Sequence, residues 1–492
     1  MLAAACAGPA PPPGGKTVVL DTAEADREVG QQQSQAVVAQ IGVVKDEALA
    51  KYVQALGAKL ARFAPQQPFA YQFQVVDQWS PNAFALPGGY IFVSRGLLVL
   101  TNSEDELACV LGHEIIHAAE RHAASRQAYT EALPMFSLGV MRQARLAAYS
   151  RDQERMADTG GQRICSAAGY DPSALGVFLN SLDAINRLQM GSSRIPTFLD
   201  THPGTSERMG NAALFASTLP PPPARDPVAW REAYLGHLKG MILGSDPAEG
   251  VIRGSLFLHP DLDFAVAFPK GWEIQNTPSA VLAVSPKHDA RFALELAGSG
   301  DDPKAVAEAF LADRLPKVRA TVDSQGPAET RCCKVWVVRG HVEKGNSMLA
   351  GQLAWVALGG RVYELSSVYV PIASEKYADR GRQFVRSFHA LTPEERGSIQ
   401  VDRLHLVRAH AGETLAALAD RMGNAYKTHP TAIANGIDVD AVLSEGQLIK
   451  IGVREPYVAG GAAAEGRQRS HLSTSAGSTN AKGPEPGGSG AD

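Results

Sequence analysis

The sequence predicts a multidomain α+β protein, and three observations lead there. At 492 residues the chain is too long for one compact core. Up to about residue 215 apolar residues recur mostly at helical intervals, with one strand-like stretch among them. Beyond residue 250 the pattern changes to period-two runs. Phe264–Phe268, Phe292–Leu296, Lys334–Val338 and Val362–Leu365 all read as strands, flanked by helical stretches at Lys304–Leu315 and Lys376–Phe388.

Composition breaks divide these regions. The proline run within Ser217–Ala224 cannot continue a helix and reads as a stiff linker, followed by a short helix-like segment over Ala229–Met241. The expected organisation is thus a first α+β unit over 21–216, a linker and helix over 217–249, and a second α+β unit over 250–395. A smaller unit follows, with a strand at Leu404–Val407, a turn at Ala411-Gly412, a helix from Thr414, an Asn435-Gly436 turn and a final run Glu445–Ile451. That order, assigned to 401–454, resembles a LysM module, a short βααβ unit, and the resemblance implies binding to N-acetylglucosamine-containing glycans such as peptidoglycan. Residues 455–492 are rich in Gly, Ser, Ala and Pro and read as a disordered tail.

Bulk properties exclude some partners. With 45% hydrophobic and 20% charged residues the composition is that of ordinary globular protein. Forty-seven Lys plus Arg against 51 Asp plus Glu give a formal charge of -4 with no basic block, which argues against a nucleic-acid partner. The longest nearly uncharged apolar run, Ala132–Met141, is about half of what a membrane-spanning helix requires. Five cysteines do not make a disulfide framework. Cys332 and Cys333 are adjacent, which disfavours their pairing, and Cys109 and Cys165 read as small buried hydrophobes. Cys6 differs, because it follows an Ala-rich start and precedes a Pro/Gly-rich stretch. That context looks like the end of a bacterial lipoprotein signal without its charged n-region and most of its apolar h-region. Residues 1–20 are therefore expected to be a signal remnant and linker, with Cys6 carrying a lipid, the protein exported to the periplasm and the outer membrane as the place of the lipid anchor.

The chemistry sits in His113-Glu114-Ile115-Ile116-His117. Ser103 and Glu106 have the spacing of a capping box, and Leu107, Val110, Leu111 and Ala118 recur at helical intervals, so a helix should start near residue 103. Four residues apart, His113 and His117 then share one face and can bind a single Zn²⁺, with Glu114 reaching the ion's water. A catalytic zinc needs a third protein ligand. The metzincin spacing would require Gly and His three and six residues after His117, where this chain has Glu120 and Ala123, and His122 is off register. Farther on, Glu154 and Asp158 stand one helical turn apart. Glu154 can ligate while Asp158 accepts the N–H of a ligand histidine; taken alone, the pair would be a solvated helix face.

Together the two motifs resemble the family-48 zinc metallopeptidases, the gluzincin group that includes the HtpX- and BepA-like proteases, over most of residues 30–215. The resemblance implies a zinc metallopeptidase domain at 21–216 and adds two segments. Pro81–Val93 is similar to the strand edge beside the family's cleft, which carries Asn82 over as a substrate-binding residue and offers an edge for an extended peptide. Thr201-His202-Pro203 with Arg208 resembles the later active-site segment, whose histidine approaches the metal as an additional, inhibitory ligand and whose arginine faces the cleft. On this basis Glu114 is the general base, and His202 or Arg208 stabilises the oxyanion. Met135, Phe136 and Leu138 read as core or as a lid, and His259, His288 and His341 as structural or surface residues. The implied function is a zinc metalloendopeptidase acting on misfolded or stalled envelope proteins. The competing expectation is a glycan-binding or chaperone-like envelope protein with residual proteolysis, against which the complete ligand set argues.

Overall fold

The structure, a computed structural model, describes residues 23–122, 151–189, 198–202, 205–277, 279–330, 332–344, 347–371 and 374–460. Cys6, the Met135–Leu138 stretch, Pro203 and residues 461–492 lie outside the described residues. The first region opens with helices α1 (Ala23–Ile41) and α2 (Glu47–Ala61). Asp46 caps α2 by accepting from the N–H groups of Ala48 and Leu49. A small sheet follows, β1 (Gln72–Val76), β2 (Ala83–Leu86) and β3 (Tyr90–Ser94), in the order β1-β3-β2. β3 runs parallel to β1 and antiparallel to β2, so β2 is an edge.

Ser94 then caps the short helix α3 (Arg95–Leu100), and Ser103 caps α4 (Glu104–Ala119) by accepting from Glu106 N. Here the sequence motif is only half realised. The Glu106 side chain is buried, takes a backbone hydrogen bond at Asn102 rather than at Ser103, and lies within the electrostatic reach of Lys450. Four more helices complete the region, α5 (Arg151–Ala167), α6 (Ala174–Gln189), α7 (Phe198–Thr201) and α8 (Thr205–Ala216). Helices α4 and α5 touch backbone to backbone. A Cβ on Gly161 would lie 2.6 Å from His113 N, and one on Gly112 would lie 2.8 Å from Gly161 O. Only glycines permit that approach.

The same contact brings Cys109 of α4 and Cys165 of α5 to a Cα separation of 5.3 Å, and the two are disulfide-bonded. Cys332 and Cys333 are also bonded to each other, in the connection between two strands of the second region. Both pairings correct the reading of these cysteines as unpaired. For the first pair the cause is a helix crossing between residues 56 apart, which residue spacing does not encode.

The segment after the proline run is built into the first core. Asp226 caps α9 (Pro227–Gly236), and Tyr234, Leu235, Leu238, Met241 and Leu243 are buried with the α4 and α6 side chains. The Asp105 carboxylate at the start of α4 accepts from Trp230 Nε1 at 2.8 Å and pairs with Arg225. A two-residue strand, β4 (Ile242–Leu243), leads out of this core.

The second region is β-rich. β5 (Val251–Arg253), β6 (Leu256–His259) and β7 (Phe264–Ala267) are followed by β8 (Glu273–Asn276), β9 (Ala280–Val284) and β10 (Ala290–Ser299). After helix α10 (Pro303–Arg314) come β11 (Ala320–Glu329), β12 (Lys334–Lys344), β13 (Ser347–Leu358) and β14 (Arg361–Tyr369). Helix α11 (Ser374–Ser387) and β15 (His389–Ala390) close it. Seven strands form an antiparallel sheet in the order β11-β12-β13-β14-β10-β9-β8, and β15-β7-β6-β5 form another. One core lies where α11 packs with Phe292, Tyr363 and Leu365; another lies where Ala307 and Leu311 of α10 meet Trp355.

The last region runs through the short helix α12 (Pro393–Ser398), β16 (Gln400–Arg408), α13 (Leu415–Met422), α14 (Thr428–Asn435) and β17 (Leu448–Pro456). Its order from β16 is βααβ, with Thr414 capping α13 and Gly436, at φ 65°, ending α14. β17 extends to Pro456, one residue past the expected start of the tail. This region does not stand apart. β16 pairs with β4, Leu404 is buried in the first core, and Lys450 of β17 is buried with its ammonium donating to Val99 O at 2.6 Å and Thr101 O at 2.8 Å. Arg231 of α9 donates to Leu448 O at 2.7 Å, and Arg408 forms a two-pronged pair with Glu232. Burial pushes the Glu106 carboxyl up to about 7 against the pull of Lys450, and pulls Lys450 far below its ordinary value. The described residues up to Tyr457 belong to one compact unit.

Two outcomes follow from these contacts. Gly161→Ala should separate α4 from α5, costing about 1–3 kcal/mol by overpacking and weakening metal binding; an unchanged melting temperature and metal affinity would refute the close-contact argument. Lys450→Met should leave the Val99 and Thr101 carbonyls without their donor and destabilise the first region by about 1–3 kcal/mol, read as a lower denaturant midpoint followed by tryptophan fluorescence of that region.

Candidate metal centre

Helix α4 carries His113, Glu114 and His117, all fully buried. The glycine contact sets α5 against them, so Glu154 and Asp158, also buried, face the same point. His202 follows α7, with its N–H donating to Phe198 O at 2.9 Å and its ring stacked on Phe198 at 3.9 Å. Phe198 N in turn donates to Pro81 O at 3.0 Å, which ties this segment to the start of β2.

Four donor groups converge. Nε2 of His117 lies 3.0 Å from Nε2 of His113, and Nδ1 of His202 lies 3.3 Å from the latter. Glu154 Oε1 is 3.4 Å from His117 Nε2 and 2.9 Å from His202 Nδ1, and Glu154 Oε2 is 3.7 Å from His113 Nε2. In a tetrahedral zinc site with ligands at about 2.0–2.2 Å, neighbouring donor atoms stand about 3.3–3.6 Å apart. The observed spacings straddle that range. The ligand atoms of His113, His117, Glu154 and His202 all fall within 4.8 Å of one another, so these residues fit one metal ion.

The surroundings orient the donors. Asp158 Oδ1 sits 2.9 Å from His113 Nδ1, which leaves Nε2 of that ring for the metal. Arg208 donates to Asp158 through Nε (2.7 Å) and Nη2 (2.6 Å), and its Nη1 reaches Glu154 Oε2 at 2.7 Å and the His202 carbonyl at 3.2 Å. Burial opposes ionisation of Asp158, but the hydrogen bonds from His113 and Arg208 outweigh it and hold this carboxyl well below the usual range. Burial also drives His117 far below its ordinary value, which keeps the ring neutral as a ligand must be.

The site residues singled out by sequence, apart from Cys6 and the Met135–Leu138 stretch, can be placed. His113, His117, Glu154 and His202 form the donor group, Glu114 Oε1 lies 3.6 Å from His202 Nε2, and Asp158 stands behind His113. Asn82 begins the β2 edge; its backbone pairs with Ser94, while its side-chain oxygen is buried without a hydrogen-bond partner among the described residues. Arg208 differs from expectation. Its guanidinium engages two carboxylates and a carbonyl, an arrangement that suits a clamp on the ligand shell rather than an oxyanion donor facing a cleft. His259 accepts from Leu262 N, His341 pairs with Asp323, and His288 occupies a turn at φ 54°, all apart from the donor group.

Sequence reasoning passed over three contributors. Gly160-Gly161 inside α5 was the available sign of a close helix crossing. Phe198 carried no signal. His122 was set aside for its register, yet its Nδ1 lies 2.9 Å from His117 Nδ1.

Comparison with known proteins agrees with this geometry. Residues 47–214 match Peptidase family M48. The chain is 33% identical over 172 residues to the mitochondrial metalloendopeptidase OMA1 of Schizosaccharomyces pombe, covering 32% of this chain and 50% of that protein. It is 28% identical over 203 residues to the beta-barrel assembly-enhancing protease of Escherichia coli K12, covering 36% of this chain and 41% of that protein. The chain thus spans half or less of the length of these relatives. The residues that match this family's model include the donor residues of α4, α5 and the His202 segment.

Proposed function

We propose that the protein is a zinc-dependent metalloendopeptidase that hydrolyses peptide bonds of misfolded or misassembled proteins in the bacterial cell envelope. The observation that carries the peptidase reading is the buried group of two imidazoles and a carboxylate at tetrahedral spacing with Glu114 beside it. His113, His117 and Glu154 would hold one Zn²⁺, a nitrogen and oxygen donor set suited to that ion. The chemistry a bound zinc supplies is acidification of a water and polarisation of the scissile carbonyl.

The chain's own residues perform the remaining steps. Glu114 takes the proton of the attacking water on its carboxylate and passes it to the departing amine nitrogen. Asp158 holds the proton on His113 Nδ1, and Arg208 keeps Glu154 and Asp158 in place. An extended substrate can add to the β2 edge next to Asn82, whose buried side-chain oxygen has no hydrogen-bond partner among the described residues. His202 Nδ1 stands among the ligand atoms, where a fourth ligand would sit. We read this as a self-restraining arrangement, in which His202 must withdraw for water and substrate to enter.

The envelope setting is supported by the resemblance of the Cys6 context to a lipoprotein signal and by the similarity to proteases whose names refer to β-barrel assembly. No helix among the described residues is long and apolar enough to cross a membrane; a lipid on Cys6 would supply a tether. The βααβ unit would add contact with peptidoglycan.

The test combines zinc stoichiometry with cleavage of an unfolded protein by wild type, Glu114→Gln and His202→Ala. Glu114→Gln should keep one zinc per chain and lose about 10²–10⁴-fold in kcat; full activity with zinc bound would discard the reading. His202→Ala should cleave severalfold faster than wild type, whereas a loss of rate would replace restraint with a catalytic role for this residue.

A further inference from the structure

The sequence of α4 does not end at its metal-facing residues. Its last helical residue is Ala119, and Arg121 adopts φ 53°, a left-handed conformation that residues with a Cβ rarely adopt. The local sequence offers no glycine to account for it. What holds it is a two-pronged ion pair. Arg121 Nε donates to Asp26 Oδ2 at 2.6 Å and its Nη2 to Asp26 Oδ1 at 3.1 Å, and Asp26, on α1, is buried. Residues held in such conformations persist where the surroundings over-determine them, and they cluster at functional sites.

The consequence falls on the next residue. Had the helix continued, position 122 would point about 140° around the axis from position 117. The left-handed turn instead folds His122 back against His117, ring edge to ring, with centroids 4.9 Å apart and the two Nδ1 atoms at 2.9 Å. His122 is itself buried.

Two imidazole nitrogens at hydrogen-bond distance require that one carry a proton and the other a lone pair. Nε2 of His117 faces the donor group and must be unprotonated to bind a metal, so the proton of the neutral ring lies on Nδ1. His122 Nδ1 is then the acceptor. We propose that His122 is a positioning residue for the metal centre: it accepts the Nδ1 proton of His117 and fixes that ring's tautomer and orientation, with the Asp26–Arg121 ion pair holding the turn that places it. The two ring ligands are thus oriented by different means, His113 by the Asp158 carboxylate and His117 by a second imidazole. A neutral acceptor adds no further negative charge behind the second ligand. This inference rests on the metal-site reading of His113, His117 and Glu154.

The experiment measures zinc affinity of the full chain by competition with a chromophoric chelator, alongside thermal unfolding of the metal-free proteins, for wild type, His122→Phe and His122→Asn. Phenylalanine keeps ring volume and removes the acceptor; asparagine returns an acceptor oxygen close to the position of Nδ1. His122→Phe should bind zinc about 10–100-fold more weakly with the metal-free melting temperature unchanged, and His122→Asn should recover wild-type affinity. His122→Leu serves the same purpose should the phenyl ring not be accommodated. Wild-type affinity in His122→Phe, or an equal loss in His122→Asn, overturns the positioning role. If wild type itself binds no zinc, the metal-site reading fails first, and the two failures are told apart by that single column of data.

Discussion

The arrangement depends on one close contact, the meeting of Gly112 and Gly161 where α4 crosses α5. Side chains at either position would push the helices apart. The separation so set brings the histidine pair of one helix to the glutamate of the other, with Glu154 oxygens 3.4 Å from His117 Nε2 and 3.7 Å from His113 Nε2. The crossing also aligns Asp158 with the far nitrogen of His113 and places Cys109 beside Cys165. Glycine lowers helix propensity by about 1 kcal/mol per residue relative to alanine, so the pair Gly160-Gly161 costs α5 intrinsic stability. Packing against a fully buried α4 offsets it.

From that contact the support spreads outward through the ends of α4. At its start Glu104 accepts from Tyr52 and Tyr170, and Asp105 accepts from Asp171 N and Trp230 Nε1. Just before it, the carbonyls of Val99 and Thr101 receive the ammonium of Lys450, more than 300 residues away in sequence. At its end the Arg121 turn is tied to α1. The βααβ unit and the segment after the proline run are therefore parts of the scaffold that holds the metal helix, whatever else they bind. This explains why Leu243 and Leu404 share the core of Leu107 and Leu111.

What the sequence made legible were features written in local spacing. The α4 start at Ser103, the histidine pair, the Glu154–Asp158 turn and the period-two strands of the second region all rest on neighbours a few residues apart. What it hid were features made by crossings and reversals. The Cys109–Cys165 bond spans 56 residues, and Glu106 abandons its half of the capping box for a site facing Lys450. His122 fails every helical template because one left-handed residue precedes it. β13 escaped notice because Leu353–Val356 is a continuous apolar run, buried on both faces, with no alternation to read. Arg208 came with the resemblance, but its partners could be known only once Asp158 and Glu154 were seen on either side of it.

Charge sets the last constraint. Glu114, Glu154 and Asp158 bring three carboxylates into a buried space where, among the described residues, the paired guanidinium is that of Arg208. With neutral imidazoles this leaves a formal excess of two negative charges in a region from which water is largely excluded, where uncompensated charge is costly. A divalent cation at the donor group removes that excess, so metal binding and the stability of the α4–α5 pair are coupled. The coupling also explains why Arg208 bridges rather than points outward. Its Nη1 lies 2.7 Å from Glu154 Oε2, leaving Oε1 turned towards His117 and His202. Paired this way, Glu154 would offer Oε1 to a metal held with His113 and His117, and Arg208 would keep the carboxylate in that orientation.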